Sequence, residues 1–103
     1  MMDDLDLKEN IIKTFRRFNP EKIILFGSMS RKDWDEASDV DVIVVYCTDK
    51  SFMARLKELY ESWNIPKAAD ILAYTPSEFD EMVNASFFLR KAVREGEIIY
   101  EAT

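Results

Sequence analysis

The 103-residue sequence contains no histidine. Serine and cysteine triads that need an imidazole base, histidine general bases and zinc sites built on histidine ligands are thereby excluded. If the chain is an enzyme, carboxylates must do its proton and metal work. Cysteine is down to Cys47, so no internal disulfide can form. At the end of an apolar stretch it is expected to be a small buried thiol rather than a reactive one. Glycine occurs twice and proline three times, and no flexible linker, repeat or low-complexity tract is present. Apolar runs are only a few residues long, far short of a membrane span, and no secretory pattern of basic start and long apolar stretch precedes them. A cytoplasmic protein with no membrane contact is the expectation. Basic residues are also short, 14 Lys and Arg against 20 Asp and Glu for a net charge of −6. That opposes a general nucleic-acid coat, which needs cations on phosphates, but permits a nucleotide held through metal ions.

What is present suits one folded domain, residues 1–103, with 48% apolar and 33% charged residues. A chain of this size has nothing to spare for a second substrate-binding unit, so a larger substrate must be held partly by another chain. Leu7, Ile11, Phe15 and Phe18 recur at helical spacing and predict a helix over 5–18, ended by Asn19-Pro20. The short branched run 22–26 predicts an interior strand, and the β-branched stretch 39–46 a second one. A polar stretch from Ser28, with Arg31 one turn in, could open a short helix. Phe52, Leu56, Leu59 and Trp63 predict an amphipathic helix behind the turn chemistry of 48–51, closed off by Pro66. A third strand is expected over 68–74. Thr75-Pro76-Ser77-Glu78 then combines an N-cap threonine, a proline at the first helical position and a glutamate placed for a capping box. The segment 84–86 interrupts that helix, a second stretch 87–94 follows, and Gly96 is expected as a left-handed C-terminal residue before a last strand over 97–101. Strands alternating with helices by short links predict an α/β or α+β domain with a small mixed sheet and flanking helices.

Asp39 and Asp41 stand at the entrance of the second strand and, two apart, point to one face of it. Two carboxylates so placed repel each other unless a cation lies between them, and Mg²⁺, which takes a few carboxylates plus phosphate oxygens and water, is the economical partner. Asp70 is a third candidate, because aspartate is poorly suited to the interior of an apolar strand. Upstream, Gly27 lets backbone approach a ligand closely, Ser28 adds a hydroxyl near a helix start that attracts phosphate, and Arg31 could neutralise remaining charge. Plainer readings stand beside these: solvated aspartates at a strand entrance, Asp70 capping a bend or paired with Lys67, a solvated Arg31, and Ser38 closing a turn. Trp34 and Trp63 read as packing groups.

Gly27-Ser28, ten residues (29–38), then Asp39-Val40-Asp41 resembles the signature of the polymerase-β-like nucleotidyltransferases. The short chain and its close, "GEIIYE" over 96–101, resemble the minimal nucleotidyltransferase (MNT) branch, and Asp70 falls where that family carries its third aspartate. The resemblance implies the polymerase-β-like fold, with Gly27 and Ser28 on the triphosphate and Asp39 and Asp41 on metal. It also implies that Asp70 shares the metal and activates the attacking hydroxyl. Two Mg²⁺ ions would act on ATP as a nucleoside monophosphate passes to an acceptor and pyrophosphate leaves. The implied partner is a helical HEPN toxin whose tyrosine receives AMP and whose RNase activity is silenced. A homo-oligomer is also open to such a chain. Phosphatases with Asp-x-Asp after, not before, an apolar strand do not fit, nor do glycosyltransferases with their larger domains. The rival from another class is a non-catalytic nucleotide-binding module that neutralises a partner by covering it.

Overall fold

Why an unbroken β-branched run survives in so acidic a chain is answered by a sheet buried on both faces. A computed structural model describes residues 3–27 and 39–102. Helix α1 (Asp4–Phe15) is started by Asp3, whose carboxylate accepts from the Asp6 N–H, and runs into a single 3-10 turn, Arg16–Phe18. Asn19, in the left-handed region at φ 53°, closes that turn one residue before Pro20. Then follow β1 (Lys22–Phe26), β2 (Val40–Val45), α2 (Phe52–Ser62), β3 (Ala69–Tyr74), α3 (Pro76–Ala85), α4 (Phe87–Glu95) and β4 (Glu97–Glu101). The sheet order is β3-β2-β1-β4, with β2 and β3 parallel and the other two pairings antiparallel. This is the small mixed sheet with flanking helices that the pattern predicts. No helix among the described residues is long and apolar enough to cross a membrane.

Alternation along each strand divides the core in two. Ile23, Leu25, Val40, Val42, Val44, Ile71 and Ala73 meet Leu7, Ile11 and Phe15 of α1 and Leu59 of α2. Ile24, Ile43 and Val45 meet Phe79 of α3 and Leu89 and Ala92 of α4 on the other face. Each fully buried side chain of this kind contributes about 1.5–3 kcal/mol, so neither face can be left bare. Trp63 stacks on Phe15 with ring centroids 6.0 Å apart and donates its indole N–H to the Lys67 carbonyl. Trp34 lies outside the described residues. The Thr75 capping box forms, and Ser86 caps α4 where it leaves α3.

Three expectations are corrected. Gly96 is extended, φ −86° and ψ −175°, not left-handed. It is a glycine because a Cβ there would lie 2.5 Å from the carbonyl oxygens of both Ala92 and Leu25. Cys47 is exposed, since β2 ends at Val45 and Cys47 falls beyond the last buried position, Tyr46. On α2, Phe52 is 42% exposed while Arg55 takes a buried place at 7%.

Arg55 is satisfied there. Its Nε donates to the Lys50 carbonyl at 2.8 Å, and its two terminal nitrogens donate to the two oxygens of Glu78 at 2.7 and 3.2 Å. Glu78 in turn accepts from the Thr75 N–H, so one carboxylate caps α3 and clamps it to α2. The hydrogen bond from Arg55 holds the Glu78 carboxyl below the ordinary carboxylate range. A depressed folded value means this stability is present above the unfolded value near 4.5 and lost as pH falls through the folded one. Arg55→Ala is expected to cost about 2–3 kcal/mol, below the full penalty of a buried pair because Glu78 is partly solvated. Acid denaturation curves of the variant should also lose the Glu78 contribution. An unchanged urea midpoint would remove the clamp from this account.

Candidate active site

The carboxylates are placed by register. Across the parallel pair Asp41 stands opposite Asp70, and across the antiparallel pair Asp41 stands opposite Phe26. Val40 and Val42 turn into the α1 and α2 side of the core, which sends Asp41, between them, to the other face. Asp70 leaves β3 on that same face, since Ile71 and Ala73 are committed to the first core. Both stand second in their strands, near Phe88 of α4 and Tyr60 of α2. A cleft of about 520 Å³ lies there, lined by Phe26, Gly27, Asp41, Tyr60, Asp70, Ile71, Leu72 and Phe88.

Gly27 follows β1 with φ 73°, a conformation that side chains other than glycine rarely adopt. A Cβ at this position would overlap Oδ2 of Asp41. The backbone therefore lies directly against one carboxylate oxygen.

Among the described residues, the influences on Asp41 disfavour its charge. Burial raises the Asp41 carboxyl above its ordinary value, and the charge of Asp70, a hydrogen bond between the two side chains and the charge of Asp39 push it further. Carboxylates this close disfavour each other's charge, which a cation placed between them would relieve. Asp39, exposed just ahead of β2, acts on Asp41 through space. Among the described residues no group of three or more metal-ligating side chains is assembled. The structure thus brings Asp41, Asp70 and the Gly27 backbone together, with Asp39 beside them. Ser28, Arg31 and Ser38 lie outside the described residues.

An aromatic frame around the pair is absent from the sequence reading. Phe26 and Phe88 meet edge to face, centroids 5.8 Å apart and planes at 84°. The Tyr60 hydroxyl accepts the Ile71 N–H at 2.9 Å, capping a backbone donor of β3, the last strand on its side of the sheet. Phe26 was recoverable from alternation, since it precedes Gly27 on a strand. Tyr60 and Phe88 sit on helices whose periodicity marks them only as surface positions.

Comparison with known proteins identifies the family. The family described as polymerase beta, nucleotidyltransferase, matches residues 9–103. A provisionally named protein adenylyltransferase of Methanocaldococcus jannaschii is 33% identical over 104 residues, covering 97% of this chain and 100% of its own length. A second protein of that organism with the same kind of name is 29% identical over 70 residues, 67% of this chain and 75% of its own. Among solved structures, a toxin-antitoxin with AMP-PNP aligns at TM-score 0.64 and 24% identity, covering 93% of this chain and 74% of the other. A mutant of the toxin-antitoxin MntA-HpeT aligns at 0.63 and 22%, over 93% and 74%. A provisionally named nucleotidyltransferase from Sulfolobus solfataricus aligns at 0.61 and 19%, over 92% and 77%. With the family match running from Glu9 to the last residue, on a sheet shared with solved structures of similar fold, the chain belongs to the polymerase-β nucleotidyltransferase family.

Proposed function

We propose that this single domain transfers AMP from ATP, with Mg²⁺, to a tyrosine hydroxyl of a helical HEPN-type toxin, and acts in the cytoplasm as its antitoxin. The observation that carries the reading is the Asp41/Asp70 pair: two carboxylates brought opposite each other on adjacent strands, the charge of one disfavoured by burial and by the other, and open to a cleft. A domain that only covered a partner would gain nothing from that repulsion. The donor set suits a hard divalent ion, which prefers carboxylate oxygens and completes its shell with phosphate and water. When bound, such ions neutralise the charge that builds on the phosphoryl oxygens. Asp41 and Asp70, with Asp39 beside them, would hold the ions. Gly27 would present its backbone to the triphosphate, with Ser28, Arg31 and Ser38 as further contacts on the strength of the motif. The acceptor oxygen attacks the α-phosphorus, the bond to the β-phosphate breaks, pyrophosphate departs, and Asp70 takes the acceptor proton. The relatives support the donor and the acceptor class: one is named for protein adenylylation, and one neighbour was solved with AMP-PNP and a toxin-antitoxin assembly.

The test mixes purified protein, Mg²⁺ and α-labelled ATP with the proposed HEPN-type partner. Label on the partner supports transfer. Silencing of the partner with no label would support the cover instead. Independently, Mg²⁺ with ATP at about a hundredfold over Kd should stabilise the protein by about 2.7 kcal/mol. Asp39→Ala should abolish much of that rise in melting temperature. Absence of any shift in wild type at millimolar ligand would sink the nucleotide site.

A further inference from the structure

We propose that the outer face of α4 docks an acidic segment of the acceptor protein and holds it at the mouth of the cleft. This rests on the transfer reading above and adds the class of acceptor. Helix α4 buries Leu89 and Ala92 but leaves Phe87 75% and Phe88 53% exposed. Phe87, Arg90, Lys91 and Arg94 recur at the three- and four-residue spacing of one helix face and line one shallow groove of about 80 Å³. The next residue, Phe88, lines the cleft that holds Asp41 and Asp70. Groove and cleft therefore meet at consecutive residues.

The charge of this face runs against the rest of the molecule. The whole chain carries −6, yet three cations share the groove. Arg90 donates to the Asn84 carbonyl, a neutral partner, at 3.4 Å. Arg94 is 3.8 Å from Glu95, and with side chains 68% and 46% exposed that pair is weakly held in water. An exposed phenylalanine ringed by cations complements a segment that offers carboxylates around an aromatic or apolar residue. A polynucleotide is the less favoured occupant, because it carries a phosphate at every nucleotide and three cations neutralise few of them.

Defined acceptors test this without knowledge of the partner. A random copolymer of glutamate and tyrosine, and one of lysine and tyrosine, are supplied to the protein with Mg²⁺ and α-labelled ATP. The acidic copolymer should be labelled at least about tenfold faster per tyrosine at low salt, with the advantage shrinking as salt rises. The triple variant Arg90→Glu, Lys91→Glu, Arg94→Glu should lose that preference through KM while keeping its melting-temperature rise with Mg²⁺ and ATP. Fluorescence anisotropy of the labelled acidic copolymer, without nucleotide, reads docking apart from transfer: wild type binds and the triple variant does not. Binding without any transfer to any acceptor would overturn the proposed function and keep the docking face. Equal use of both copolymers, or unchanged binding by the triple variant, overturns the docking face and leaves transfer standing. Tighter binding of single-stranded RNA than of the copolymer, lost in the triple variant, overturns it in favour of nucleic acid.

Discussion

Asp41→Asn is expected to lower nucleotide transfer by about a thousandfold or more, some 4 kcal/mol of transition-state stabilisation, while leaving the metal-free protein as stable as wild type or more so. Few substitutions separate the two readouts so widely. Asp41 is pressed by burial, by Asp70 and by Asp39, all of which disfavour its charge. Asparagine keeps the shape and can still hydrogen-bond Asp70, but it removes the repulsion that folding has to bear. It also removes the charge that a divalent ion would need. Steady-state transfer to a tyrosine acceptor, with thermal melting in chelator and in Mg²⁺, measures both halves. The melting temperatures of wild type and variant should cross: the variant equal or higher in chelator, and wild type higher with Mg²⁺ and ATP. Full activity in the variant would mean that Asp41 is no metal ligand.

Gly27→Ala is expected to cost about a hundredfold or more in transfer with a stability loss of about 1–3 kcal/mol. The backbone at φ 73° would be strained by any side chain, and the new methyl would have to displace Oδ2 of Asp41. A misplacement of that order at a reacting centre is enough to lose two decades of rate. The added methyl also stands where backbone would approach a triphosphate. KM for ATP should therefore rise as well. The informative comparison is with Gly96→Ala, whose Cβ meets carbonyl oxygens of Ala92 and Leu25 and no carboxylate. That variant should lose stability, with residual activity per folded molecule near wild type. If Gly27→Ala behaved the same way, its glycine would be a packing requirement only.

Much of the architecture was legible because its causes are local. Lys22–Phe26, Pro76–Ala85 and Glu97–Glu101 begin where an apolar run, a capping box and the residue after Gly96 say they should. The first helix was overrun by a turn, since the apolar stripe continues to Phe18 after the hydrogen bonding has tightened at Arg16. Arg55 shows the limit of periodicity from the other side: the position faces inward, but a charge fills it because Glu78 and the Lys50 carbonyl receive it. Nothing local to α2 announces a partner that lies on α3. For the candidate site, the motif marks Gly27, Asp39 and Asp41, while the frame of Phe26, Tyr60 and Phe88 comes from three separate elements.

From the residues alone came the alternation of strand and helix, the reliance on carboxylates that zero histidines impose, and the placement of Asp39 and Asp41 on one face of a strand. These depend on backbone period and side-chain chemistry, which neighbouring residues settle between themselves. The tertiary structure decided that Asp41 stands opposite Asp70 and that a cationic face of α4 adjoins their cleft. Register between β2 and β3 is set by burying apolar side chains on both faces at once, and a slip of β3 by one residue would turn Asp70 towards the first core and Ile71 and Ala73 away from it. That selection is made by the whole packed sheet, which no stretch of sequence contains.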